Sequence, residues 1–130
     1  MSGPAEAGLF LYAKDLERIV AFYESILGMT RLHAADDMVV LQSQGVQFIV
    51  HRIPAHIAAE IQIASPPIPR EDAAMKFFFT VPDIDGIRQA AADLGGMIMS
   101  TLYRGPDFHV CNACDPEGNI FQVRQQADMG

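Results

Sequence analysis

Several side chains able to hydrogen bond or carry charge fall within short apolar stretches. His51 closes Val46-Gln47-Phe48-Ile49-Val50-His51, Lys76 precedes Phe77-Phe78-Phe79-Thr80, and Gln122 and Arg124 alternate with apolar residues in Ile120-Phe121-Gln122-Val123-Arg124. Arg124 and Lys76 have the chemistry to hold a carboxylate or phosphate, the Arg through two parallel N–H donors. Both equally suit a rim position in solvent or pairing with Asp and Glu. Phe10, Tyr12 and Phe78 can stack on a planar ligand, or simply pack. His51 is able to act as acid, base or metal ligand, although a lone imidazole more often hydrogen bonds. His33 and His56 suggest no role. The sequence holds no phosphate-cradling glycine loop, no nucleophilic Ser elbow and no paired catalytic carboxylates on the strand faces assigned below.

Cys111 and Cys114 form a C-x-x-C pair. Zinc would need a second ligand pair, and no matching CxxC or HxxxH is present. A redox pair would place its first Cys at a helix N-terminus, whereas these lie in a strand, where residues three apart point to opposite faces. Two ordinary strand thiols are expected.

These residues must be positioned by strands, and the turn Asp115-Pro116-Glu117-Gly118-Asn119 organises the last of them. Pro pre-sets a reversal and Gly supplies a positive φ, so the segment should feed Ile120 to Gln125 back as a strand. Upstream, Gly8 to Ala13 reads as a strand. Asp15 to Leu27 reads as a helix capped by Asp15, with Leu16, Ile19, Val20, Tyr23, Ile26 and Leu27 at helical spacing before Gly28 stops it. The pattern then returns without a gap: Asp15 falls on Asp83, Leu16 on Ile84, Ile19 on Ile87, Ile26 on Leu94, Gly28 on Gly96 and Met29 on Met97. One unit has been used twice.

After each helix there is room for three strands, Met29 to Ala34, Asp37 to Gln42 and Val46 to Arg52 in the first half, and Met97 to Tyr103, Phe108 to Ala113 and Ile120 to Gln125 in the second. Lys76 to Val81 is the strand before the second helix. One domain is expected, made of a module over 8–52, a linker over 53–72 and a module over 73–125. The linker holds four prolines, with a short helical turn around Ala55 to Gln62 and an extended second part.

Alternation assigns the faces. Leu9, Leu11 and Ala13, then Val46, Phe48 and Val50, then Phe77, Phe79 and Val81, and finally Phe121 and Val123 should pack under the helices. The other face carries Gly8, Phe10, Tyr12, Gln47, Ile49, His51, Lys76, Phe78, Thr80, Ile120, Gln122 and Arg124. Polar groups arriving from four strands suit a ligand cleft better than a core. His109 would join His51 if the odd residues of its strand faced inward, which hairpin register decides. Met29, Met38, Met75, Met97 and Met99 suit an adaptable apolar wall.

Composition narrows the partners. A net charge of −7, from 9 basic against 16 acidic residues, argues against nucleic acid, which needs a clustered cationic excess. No apolar run is long enough to cross a bilayer, so no membrane partner is expected. Residues 1–8 show no basic stretch followed by an apolar block, so no leader is read there and a cytoplasmic protein is expected.

Paired β-α-β-β-β units, a helix opened by Asp15-Leu16 and closed by Leu27-Gly28-Met29, a second closed by Leu94-Gly95-Gly96, and the Asp115 to Asn119 hairpin together resemble the vicinal oxygen chelate superfamily. This is the group of glyoxalase, bleomycin-resistance protein and extradiol dioxygenase. The resemblance implies an α+β fold in which two βαβββ modules form a mixed, curved half-barrel sheet with helices on its outer face. It also implies a homodimer. The metal-using relatives place one His or Glu ligand on each of four strands. Those positions here fall on Gly8, Ile49, Lys76 and Gln122, or on Val50 for the second if the count slips by one. Only Gln122 could coordinate, and weakly, so no family metal and no cofactor is expected.

The function expected is therefore binding of a small organic ligand, through stacking and contacts from Phe10, Tyr12, Ile49, His51, Lys76, Phe78, Gln122 and Arg124. The alternative is a lyase, an isomerase or an extradiol-type dioxygenase. Its divalent metal would be held by other ligands, or its acid–base work would fall to His51 and Tyr12. A third possibility is an assembly module with an incidental cleft.

Overall fold

Alternating burial along each strand is what separates a helix-covered face from an open one. In the computed structural model, which describes residues 5–127, Leu9, Leu11 and Ala13 on strand β1 (Ala7–Ala13) lie on the more buried side, while Phe10 and Tyr12 are 53% and 59% exposed. The stretch 1–8 that was considered for a leader falls partly outside the described residues. Helix α1 (Leu16–Leu27) is capped by the Asp15 carboxylate, which accepts from the Arg18 N–H at 3.2 Å, and ends at Gly28 with φ 63°. Its buried stripe, Leu16, Ile19, Val20, Phe22, Tyr23, Ile26 and Leu27, packs on β3 (Met38–Ser43) and β4 (Val46–Arg52).

The chain divides into two compact units, residues 1–62 and 63–130. In the first, β1 pairs in parallel with β4, β4 antiparallel with β3, and β3 antiparallel with β2 (Thr30–Ala34). The β1–β4 register sets Leu9 beside Phe48 and Leu11 beside Val50 on the helix side, and Phe10 beside Ile49 and Tyr12 beside His51 on the other. Fully burying a side chain such as Phe48 contributes roughly 2–3 kcal/mol, so a one-residue slip that exchanged the faces would be heavily disfavoured. The turn after Pro54 forms only the short helix α2 (Ala55–Ala58).

The second unit repeats the scheme. Strand β5 (Phe78–Thr80) pairs in parallel with β9 (Ile120–Gln126), and β9 pairs antiparallel with β8 (Phe108–Cys114). Helix α3 (Ile84–Asp93) packs on this sheet. The copy is inexact at the helix start, where Asp83 makes no side-chain cap and the Gln125 side-chain Oε1 accepts from the Ile84 N–H at 2.7 Å instead.

The continuous strand expected over Met97 to Tyr103 is broken into β6 (Met97–Ile98) and β7 (Tyr103–Arg104), both paired with β8. Arg88 explains the break. Its Nη1 donates to the carbonyls of Ile98 and Met99 at 3.4 and 3.1 Å, drawing the backbone toward the helix, while its Nε donates to Asp85.

Beyond residue 62 the proline-rich segment docks on its own unit. The Arg70 N–H donates to the Gly118 carbonyl at 2.8 Å and its Nε to the Glu117 carbonyl at 3.1 Å. None of the helices among the described residues is long and apolar enough to cross a membrane.

Cys111 and Cys114 are both buried and free. Cys111 shares the face of Val123 and receives an Arg88 N–H at 3.5 Å, whereas Cys114 sits opposite Ile120 on the other face. Burial, reinforced by the neighbouring Asp115 carboxylate, pushes the Cys114 thiol up from 9.0 to about 11. The unfolded chain therefore releases this proton first as pH rises, and the thiol's contribution, intact below pH 9, is lost between about 9 and 11. We expect urea unfolding to show a loss of about 2–3 kcal/mol across that window from this group. The Cys114→Ala variant should lack that slope, and parallel curves for the two proteins would contradict the assignment.

Candidate functional site

On the open face of the first unit, three rings gather. Phe10 and His51 stack with centroids 6.0 Å apart and 22° between planes, and Tyr12 lies 5.2 Å from Phe10 and 5.8 Å from His51. The His51 Nδ1 is 2.8 Å from the Arg52 carbonyl, which can only accept, so Nδ1 carries the proton. Nε2 lies 3.8 Å from the Asp37 carboxylate. Ile49, between Phe10 and Val40 in register, fills the apolar floor beside these rings. This unit therefore offers a surface for stacking with one imidazole edge.

The open face of the second unit is built differently. Phe78 pairs with Gln122, and Gln122 with Asn112, so these three share a face. Lys76, just before β5, donates from Nζ to the Asn112 side-chain Oδ1 at 3.2 Å. Two residue pairs farther along, on the same face, Thr80, Arg124 and Val110 lie abreast. The Arg124 guanidinium lies over two rings, 3.7 Å from the centroid of Phe78 and 4.5 Å from that of Phe108. Such contacts hold the group flat and leave its N–H edges for a partner. Its Nε is buried without a hydrogen-bond partner. Beside it opens a pocket of ≈ 290 Å³ lined by Phe78, Thr80, Asp107, Phe108, Arg124, Gln125 and Gln126.

Phe10, Tyr12, Ile49 and His51 are thus grouped within the first unit, and Lys76, Phe78, Gln122 and Arg124 within the second. His109 does not belong with them. The β8–β9 ladder runs without a bulge and sets His109 opposite Gln125, on the side of Cys111 and Val123, where Arg104 lies 3.1 Å away. Met75, assigned to an apolar wall, is 84% exposed, while Met29 is part of the core.

Sequence reasoning passed over Phe108 and Asn112. Both follow once the five-residue turn is taken as closed by Cys114 and Ile120, because that register places Asn112 opposite Gln122 and Phe108 two pairs beyond Val110.

The donor set at the four family ligand positions does not fit a divalent cation. Gly8 and Ile49 have no donor atom, the Lys76 ammonium repels a cation, and Gln122 offers one neutral amide oxygen. Among the described residues no three His, Cys, Asp or Glu side chains gather into a possible metal site.

Comparison with known proteins places the fold. A family model described as Glyoxalase/Bleomycin resistance protein/Dioxygenase superfamily matches residues 7–123. Among solved structures, a glyoxalase/bleomycin resistance protein/dioxygenase family enzyme from Burkholderia phytofirmans PsJN superposes with a TM-score of 0.67 at 16% identity, covering 92% of this chain and 97% of the other. A glyoxalase/bleomycin resistance protein from Albidiferax ferrireducens T118 gives 0.66 at 16% identity, with coverage of 92% and 97%. A glyoxalase/bleomycin resistance protein/dioxygenase from Alicyclobacillus acidocaldarius gives 0.60 at 21% identity, with coverage of 98% and 96%. At such identities the likeness is one of fold. No curated protein matches the chain in sequence.

Proposed function

The chain belongs to the Glyoxalase/Bleomycin resistance protein/Dioxygenase superfamily, and on that premise we propose that it is a small-molecule-binding member that works without the metal of its metal-using relatives. Fold alone does not assign an activity, which lives in the residues grafted on the scaffold. The observation that carries the proposal is the pocket at Arg124, where two rings, a fixed cation and polar side chains converge within one unit. Shape, desolvation and a few placed polar groups suffice to bind an organic ligand there. The chemistry of Gly8, Ile49, Lys76 and Gln122 supports the absence of the family metal from the binding step.

We further propose that the protein is a cytoplasmic homodimer. Its two free, buried cysteines suit a reducing compartment, and the rings exposed at Phe10, Tyr12 and Phe78 are the kind of surface that pairing or ligand covers. Native mass spectrometry reads the metal and the assembly together. The expected mass is that of two chains with no metal. A stoichiometric transition metal that leaves on chelation would favour instead a lyase, an isomerase or an extradiol-type dioxygenase, and a monomer at micromolar concentration would overturn the dimer.

A further inference from the structure

The cations and acids of this protein are unevenly distributed. Although the chain carries a net charge of −7, the open face of β5, β9 and β8 presents Lys76 and Arg124 with the amides of Asn112 and Gln122 and no carboxylate on the same strand positions. None of the ion pairs among the described residues involves either cation. Asp107 borders the pocket from the edge of the sheet without pairing to Arg124.

Arg124 is the more constrained of the two. The rings of Phe78 and Phe108 both lie against its guanidinium, and the buried Nε has no acceptor. A buried donor left unpaired is costly, and an acceptor that arrives with the ligand would relieve that cost. Phe78, 50% exposed, is the less confined of the two rings. A shift there that admitted an acceptor to Nε and one Nη would let a carboxylate meet them with two parallel hydrogen bonds. Phe78 and Phe108 supply apolar surface around that point.

We infer that the Arg124 pocket selects planar organic carboxylates, gripping the anion with the guanidinium edge and the ring between the neighbouring aromatic side chains. This rests on the small-molecule reading above and adds the charge and shape of the ligand. Lys76, two residues before Phe78 and just outside β5, adds a second attraction for anions without touching the carboxylate.

The test is a titration followed by backbone amide shifts, using benzoate, neutral benzamide and cationic benzamidine as probes. Benzoate should give saturable shifts centred on residues 78, 108 and 122–126 and bind about tenfold or more tightly than benzamide, as expected when a charged partner satisfies a buried donor. Benzamidine should be the weakest. In Arg124→Met, which keeps bulk and removes charge, benzoate should fall to the level of benzamide. Equal binding of benzoate and benzamide by the parent protein, or unchanged benzoate binding by Arg124→Met, would overturn carboxylate selection and leave the small-molecule proposal standing. No saturable shift with any of the three probes would count against the pocket itself. The comparison of probes on the parent protein decides the question even if the variant fails to fold.

Discussion

Gly118→Ala should be among the most damaging single substitutions in the chain. Gly118 has φ 87°, and a Cβ built there would lie 2.5 Å from the Ile68 carbonyl oxygen, a backbone atom that cannot swing away. Relieving the collision means shifting Ile68 to Arg70, which opens the 2.8 Å bond from the Arg70 N–H to the Gly118 carbonyl. Backbone strain and the lost docking together should cost about 3–5 kcal/mol, which in a domain of this size lowers Tm by about 10–20 °C. Gly28 separates the two causes. It also has positive φ, 63°, but nothing lies within 4 Å of a built Cβ, so Gly28→Ala should lose only about 1–2 kcal/mol. If the two variants melt together, the Ile68 contact is not what makes Gly118 necessary.

Asp115→Ala should be comparably severe for a different reason. The Asp115 side chain is fully buried. One carboxylate oxygen accepts from the backbone N–H groups of Glu117 and Asn119 at 2.8 and 3.1 Å, and the other accepts from the Asn119 amide at 2.8 Å. Removing it strands three donors that water does not readily reach, at on the order of 1–3 kcal/mol each before relaxation. A net loss of about 3–5 kcal/mol is expected. Asp115→Asn keeps one acceptor oxygen and should lose about 1–2 kcal/mol. Because the turn sets the register of Gln122 and Arg124, the Ala variant should also weaken ligand binding under conditions where it is still folded. A loss below about 1 kcal/mol in urea unfolding would contradict this account of the turn.

Much of the fold was legible because the determining signals are local. Asp15 and Gly28 mark both ends of α1, alternation fixes the faces of β1, β4 and β9, and the recurrence of the first unit's pattern announces the second. The break between β6 and β7 was not legible. It depends on Arg88, which belongs to a helix in the sequence pattern but spends its guanidinium on carbonyls ten and eleven residues away. The cap on α3 was hidden for the same reason, since Gln125 reaches it from 41 residues downstream.

At the candidate site, residue types and faces could be read, but partnerships could not. Arg124 was recognisable as a cation on an open face. Its place against Phe78 and Phe108 required the β5–β9–β8 register, and the pocket beside it involves Asp107, which precedes β8 and shows no periodicity of its own. His109 shows the converse, because one residue of register decides whether an imidazole joins a site or faces Arg104.

The proposed binding uses this chain's own side chains and no metal. A thermal-shift screen of metabolites and antibiotics on the purified protein, run in chelator and again with divalent cations, tests it most directly. At least one small organic compound should raise Tm saturably and equally under both conditions. Stabilisation that appears only with a divalent cation, or a ligand shift that chelation abolishes, would contradict it.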